Sequence, residues 1–242
     1  MNGMKKNILL LHGWDFNLYS KMTNYNDAWQ DYSFFINKLE ENYNIYKLNF
    51  PGFCKEKEPR KKEWNIDDYV EFVNEYIQKK KINIDIIIGY SFGGAVAVHY
   101  KAKCKISSKL FLIAPAITRD KQKSKSFIKT PKILDRFRNI IRDLYVIYII
   151  KNPEMKYGTK FLRNSYQSIV RVDLINELSL IKSKDLCIVY GKNDTAVNPD
   201  LVLNKVNDEY KSCIKMIDKA NHDDILTIYV NELLNVLSNF AL

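Results

Sequence analysis

Three histidines, His12, His99 and His222, are the whole supply of side chains that could act as a base near neutral pH. One serine stands in unusual company. Ser91 lies in Gly89-Tyr90-Ser91-Phe92-Gly93-Gly94, directly after Ile86-Ile87-Ile88 and directly before Ala95-Val96-Ala97. Three consecutive isoleucines suit a strand buried on both faces, and the small residues that follow suit a helix. Strand, tight turn and helix around Gly-x-Ser-x-Gly put the serine on a strained turn with its oxygen exposed. Glycines fit there because strand and helix backbones approach too closely for a Cβ. A hydroxyl so placed could act as a nucleophile, provided that a base takes its proton and a carboxylate orients the base.

The candidates for those two roles are few. His99 falls within the helix after the serine, where it reads as a structural residue. His12 directly follows the first strand, in a segment suited to presenting backbone N–H groups. His222, in the loop Lys219-Ala220-Asn221-His222-Asp223 after the last strand, is the base by elimination and position. For the carboxylate, Asp194 lies in the loop that starts at Gly191, after another strand, and loops at the carboxyl ends of parallel strands carry the chemistry in open α/β sheets. Asp120 is the competitor, in charged surroundings that suit a solvated aspartate. Asp223 and Asp224 adjoin the base and read as caps of the final helix.

The elements that must position these residues alternate. Strands are expected at Asn7–Leu11, Asn44–Phe50, Ile84–Ile88, Lys109–Ala114, Leu186–Tyr190 and Cys213–Ile217. Helices are expected at Trp29–Glu41, from an Asn65 cap to about Gln78, at Gly94–Lys103, Pro199–Asp208 and Ile225–Phe240. The pattern predicts an α/β fold: a mostly parallel central sheet with helices on both faces. Residues 117–179 interrupt the rhythm without a convincing strand. Thr130 and Pro131 open a helical pattern there, Asn152-Pro153 stops it, and Phe161–Leu180 is helical again. The chain therefore divides into a core, residues 1–116 and 180–242, and a helical cap insertion, residues 117–179.

Composition excludes several classes. With 46% hydrophobic and 27% charged residues, the chain suits one soluble globular domain. No apolar run approaches a membrane span, and Ile8–Leu11 is too short for a secretory core. Cys54, Cys104, Cys187 and Cys213 show no Cys-x-x-Cys spacing, so neither a metal site nor a disulfide framework is implied, and a cytoplasmic location is expected. The formal charge of +10 is concentrated: residues 117–163 hold 13 Lys and Arg against 4 acids. The bland account is a solvated lysine-rich face. The functional one is attraction of an anionic substrate, an acidic acyl carrier or an acidic lipid surface. Nucleic acid is not an expected partner, because no recognised motif accompanies the charge.

The order Ser91…Asp194…His222 resembles that of the α/β-hydrolase superfamily. The resemblance extends to His12-Gly13-Trp14, Phe50-Pro51-Gly52-Phe53, Gly89-Tyr90-Ser91-Phe92-Gly93-Gly94 and Gly191-x-x-Asp194-x-x-Val197-x-Pro199, and so covers nearly the full chain. It implies a serine esterase with a helical cap, a small-molecule ester substrate and no cofactor. It also assigns the oxyanion hole to the backbone N–H groups of Trp14 and Phe92. Serine in place of aspartate argues against dehalogenase and epoxide hydrolase chemistry. Thioesterase, lactonase, acyltransferase and carbon–carbon bond hydrolase chemistry stay open, as does a non-catalytic binding protein of the same fold. One departure is Asn221, where the superfamily usually places glycine; asparagine tolerates a left-handed backbone.

Overall fold

The computed structural model describes residues 5–118 and 153–242. Six strands form one wholly parallel sheet in the order β2-β1-β3-β4-β5-β6: β1 Lys6–Leu11, β2 Tyr43–Leu48, β3 Ile86–Tyr90, β4 Lys109–Ile113, β5 Leu186–Gly191 and β6 Ile214–Ile217. The central strands are apolar on both faces because helices cover both. Ile8–Leu11, Ile87, Ile88, Leu110–Ile113 and Ile188–Tyr190 have no exposed surface. Around the sheet lie α1 Ser33–Glu40, α2 Ile66–Lys80, α3 Phe92–Cys104, α4 Pro153–Tyr157, α5 Lys160–Ile169, α6 Ile175–Leu178, α7 Asp200–Leu203, α8 Asp208–Ser212 and α9 Val230–Ala241.

The helix starts follow local chemistry. Asn65 opens α2 with a reciprocal capping box: its side chain accepts the Asp68 N–H, and the Asp68 carboxylate accepts its own. Several expected helices are shorter or divided. The Pro199–Asp208 expectation becomes α7 and α8, because Asn207 caps a new helix by accepting the Tyr210 N–H. Phe161–Leu180 likewise becomes α5 and α6. In place of one helix over Ile225–Phe240 there is a 3-10 turn, Asp224–Leu226, and then α9. The Asp224 carbonyl takes the N–H groups of both Thr227 and Ile228, which closes the turn before the helix begins.

Asp223 and Asp224 do not cap α9. The residue before α9 is Tyr229, with no side-chain cap, while the Asp224 carboxylate turns back to accept the Asn221 N–H at 2.7 Å.

Of the 117–179 segment, the described part is helical in α4, α5 and α6. The expected helix from Thr130 and most of the basic excess lie outside the described residues. The two ends of the segment are stapled together: Thr118 Oγ1 donates to Asp173 at 3.0 Å, and Lys205 reaches both, at 2.6 and 2.9 Å. Against the core, Ser165 Oγ of α5 accepts the Trp64 N–H at 2.8 Å. Among the described residues no helix is long and apolar enough to cross a membrane.

Candidate active site

The carboxyl ends of the parallel strands converge on a cavity of about 650 Å³, the usual size of a small-molecule site. β1 brings His12-Gly13-Trp14 to it, Ser91 directly follows β3, and β6 is followed by the loop with His222. Further wall is supplied by Tyr32, Ile66, Tyr166 and Ile169. These four were not singled out by sequence reasoning, since each is an ordinary apolar or aromatic position on its own helix or turn.

Ser91 has φ +50° and ψ −111°, a conformation that costs an L-residue about 1–3 kcal/mol and persists only where the surroundings over-determine it. They do so here. The Ser91 N–H donates to the Ile113 carbonyl at 2.9 Å, and the Ser91 carbonyl accepts the N–H groups of Gly94, Ala95 and Ala116. Close packing behind the turn demands glycine. A Cβ on Gly89 would lie 2.7 Å from Gly94 Cα, and one on Gly93 would run into the Leu11 carbonyl. Although Ser91 stands at the head of α3, its side chain makes no cap bond, which leaves Oγ for another partner.

That partner is His222, whose Nε2 is 3.1 Å from Ser91 Oγ. On the other side of the ring, Nδ1 is 2.7 Å from Asp194 Oδ2. The Asp194 side chain has no exposed surface, and its remaining oxygen accepts the N–H groups of Ala196 at 2.9 Å and Val197 at 2.8 Å. A buried carboxylate satisfied in this way fixes the Nδ1–H tautomer of its histidine and leaves Nε2 with a lone pair toward the hydroxyl. Three residues distant in sequence, Ser91, Asp194 and His222, thus meet in one hydrogen-bonded line.

The other histidines are committed elsewhere. His12 is 1% exposed, with Nδ1 at 2.7 Å from the Gly13 carbonyl and Nε2 accepting the Phe50 N–H at 2.9 Å. Burial pulls its pKa from 6.5 down to about 4, so it is a neutral structural ring. His99 stands about 12 Å along α3 from Ser91, counting its helical rise. Its Nε2 is 3.0 Å from Asp67 of α2. Asp120 lies outside the described residues.

Trp14 and Phe92 both line the cavity beside Ser91. A Cβ on Gly13 would sit 3.3 Å from Ser91 Cβ, so the His12–Trp14 segment lies directly against the serine. Among the described residues neither main-chain N–H, of Trp14 or of Phe92, has a hydrogen-bonded acceptor. The Trp14 ring is packed as well: it meets Phe53 and Phe92 edge-on at 5.0 and 5.3 Å, and its Nε1–H donates to Tyr19 at 2.7 Å.

Asn221 is not in the left-handed region; the positive φ in this loop belongs to Lys219, at +66°. Asn221 instead caps the turn after it. Its Oδ1 accepts the N–H groups of Asp223 at 2.9 Å and Asp224 at 3.0 Å. Asparagine three residues before aspartate is a capping pair visible in the sequence.

A Mycoplasma genitalium protein named as an esterase/lipase is 23% identical over 226 residues, covering 81% of this chain and 79% of that protein. Among solved structures, a bromoperoxidase from Bacillus anthracis superposes with a TM-score of 0.65 at 15% identity, over 98% of this chain and 92% of that one. An esterase from Exiguobacterium antarcticum gives 0.64 at 17% identity, over 98% and 92%. Those two carry different activities on one backbone, so the likeness speaks for the fold and the chemistry must come from the site. The alpha/beta hydrolase fold family matches residues 6–139, more than half of the chain, and with the six-stranded parallel sheet this places the chain as a member of that family and as a hydrolase.

Proposed function

We propose that the protein is a serine hydrolase that cleaves carboxylic esters, with Ser91, His222 and Asp194 as its catalytic triad. The observation that carries this reading is the hydrogen-bonded line from Ser91 Oγ through His222 to the buried Asp194 carboxylate. The name of the Mycoplasma relative supports the ester substrate. In this reading His222 Nε2 takes the Ser91 proton while Oγ bonds to the carbonyl carbon, and the carbonyl electron pair moves onto oxygen. The Trp14 and Phe92 N–H groups hold that oxyanion. When the intermediate collapses, His222 gives the proton to the departing alcohol. Water, deprotonated by His222 in turn, attacks the acyl-enzyme and releases the acid and Ser91. Residues 117–179 act as the cap, whose described part brings Tyr166 and Ile169 among others to the cavity wall.

The test is a fluorophosphonate probe together with a short-chain nitrophenyl ester. The wild type takes one label at Ser91, and Ser91→Ala takes none and turns over the ester roughly 10⁴-fold more slowly. Near-native turnover in that variant would sink the assignment, and a wild type that takes no label would make the chain a non-catalytic relative.

A further inference from the structure

The residue before the serine has no part in the chemistry above, yet it touches the base. Tyr90 is the last residue of β3 and is 7% exposed. Its hydroxyl donates to the main-chain carbonyl of His222 at 3.0 Å. Its ring lies alongside the imidazole, with centroids 5.3 Å apart and planes inclined by 30°. Asp194 holds His222 through Nδ1 and so fixes the rotation and tautomer of the ring. It does not fix where the peptide carrying that ring sits. We propose that Tyr90 is the positioning residue for the base, tying the His222 peptide to the strand that carries the nucleophile; this inference rests on the reading of Ser91, His222 and Asp194 as catalytic.

The argument is one of mechanical shortness. Ser91 directly follows β3, while His222 follows β6 at the edge of the sheet, with β4 and β5 in between. Without a direct link, the spacing between Oγ and Nε2 would accumulate the fluctuations of three strand pairings and a loop. One phenol shortcuts that path with a single hydrogen bond from the residue adjacent to Ser91. A misplacement of about 1 Å between reacting groups can cost on the order of a hundredfold in rate, so a tether of this length acts on turnover more than on stability.

Tyr90 is itself well held. A Cβ on Gly13 would come within 3.0 Å of its ring, and the Tyr32 ring packs edge-on at 6.3 Å. The hydroxyl keeps its proton at every accessible pH. Burial above all, then the neighbouring Tyr32 and the carboxylates of Asp223, Asp194 and Asp15, push its ionisation far upward. The tether therefore does not titrate. The ring has a second effect: its face lies beside an imidazole that becomes cationic whenever Ser91 gives up its proton, an arrangement favoured by the ring quadrupole.

Tyr90→Phe removes the hydroxyl and keeps the ring, and Tyr90→Leu removes both. With the fluorophosphonate probe, the final extent of labelling counts competent sites and the rate constant reports how well the base serves Ser91. Tyr90→Phe should label to the wild-type extent with a rate constant about tenfold lower, and kcat on the nitrophenyl ester should fall equally with KM unchanged. Tyr90→Leu should lower the rate constant further, to about a hundredfold below wild type. A wild-type rate constant in Tyr90→Phe would overturn the inference, and so would a reduced extent at an unchanged rate constant, which is the signature of a merely structural residue. Labelling of Ser91→Ala would instead overturn the catalytic reading beneath it, so the two failures are distinguishable.

Discussion

At the Ser91 turn nearly every restraint is main-chain or steric, whereas at the His222 loop most are polar side chains. Beside these stand one main-chain bond, from the Asn193 N–H to the Ala220 carbonyl, and the close packing of Gly191 on that carbonyl. The serine is fixed by four backbone hydrogen bonds and by glycines that leave no space for a Cβ. The histidine loop is held by Asn221 and Asp224 bonding each other's N–H groups, by Asn193 Nδ2 on the Lys219 carbonyl, and by Tyr90 on the His222 carbonyl. The first arrangement can sustain a strained φ of +50° because nothing in it can yield. The second can be weakened one bond at a time. A nucleophile needs a single orientation. In the proposed mechanism His222 must face first the serine, then a leaving group, then water, and restraints of modest strength suit that.

The sharpest way to break the rigid side is Gly93→Ala. The new Cβ would meet the carbonyls of Leu11 and His12, which are backbone atoms in and beside β1 and cannot swing aside. We expect a loss of about 4 kcal/mol or more, seen as a collapse of the urea midpoint or as a failure to fold. A near-wild-type midpoint would mean that the serine turn yields after all.

His12 belongs to the same rigid side and gives a pH-dependent test. Its folded pKa of about 4 lies below the ordinary 6.5, so between those values the unfolded chain binds a proton that the folded one refuses. Stability is therefore complete above about pH 6.5 and falls with acidification, by about 1.4 kcal/mol per pH unit, until pH 4; the total is about 3 kcal/mol. Urea midpoints of wild type and His12→Asn, followed from pH 7 to pH 4.5, should converge on acidification because only the wild type carries this term. Parallel curves would show that the ring accepts a proton where it sits.

The same contrast explains what could be read from the chain. All six strands were legible, because runs such as Ile86-Ile87-Ile88 admit few other placements in a sheet covered on both faces. The serine turn was legible too: its glycines are demanded by backbone geometry, which the sequence states outright. The side-chain restraints were not. Tyr90 occupies the free position of Gly-x-Ser-x-Gly, and its bond to His222 spans 132 residues. Asn221 reads in the sequence as a tolerated glycine substitute, although its spacing from Asp224 already spells a cap. The break after Leu226 is hidden because helical periodicity continues through Thr227 and Ile228, while the N–H groups of Thr227, Ile228 and Tyr229 all converge on the one carbonyl of Asp224 instead of stepping along the chain.

The smallest expected effect tests the compliant side. Asn221→Ala removes the acceptor for the Asp223 and Asp224 N–H groups and should cost about 1 kcal/mol, as loss of a helix cap does. Asn221→Gly, which restores the residue that the superfamily usually carries, should cost only a few tenths, because water reaches the freed N–H groups and the loop keeps its course. The urea midpoints should then rank wild type, Gly, Ala, with a common slope. If both substitutions instead cost several kcal/mol, the histidine loop is held as sterically as the serine turn, and the distinction between the two loops fails.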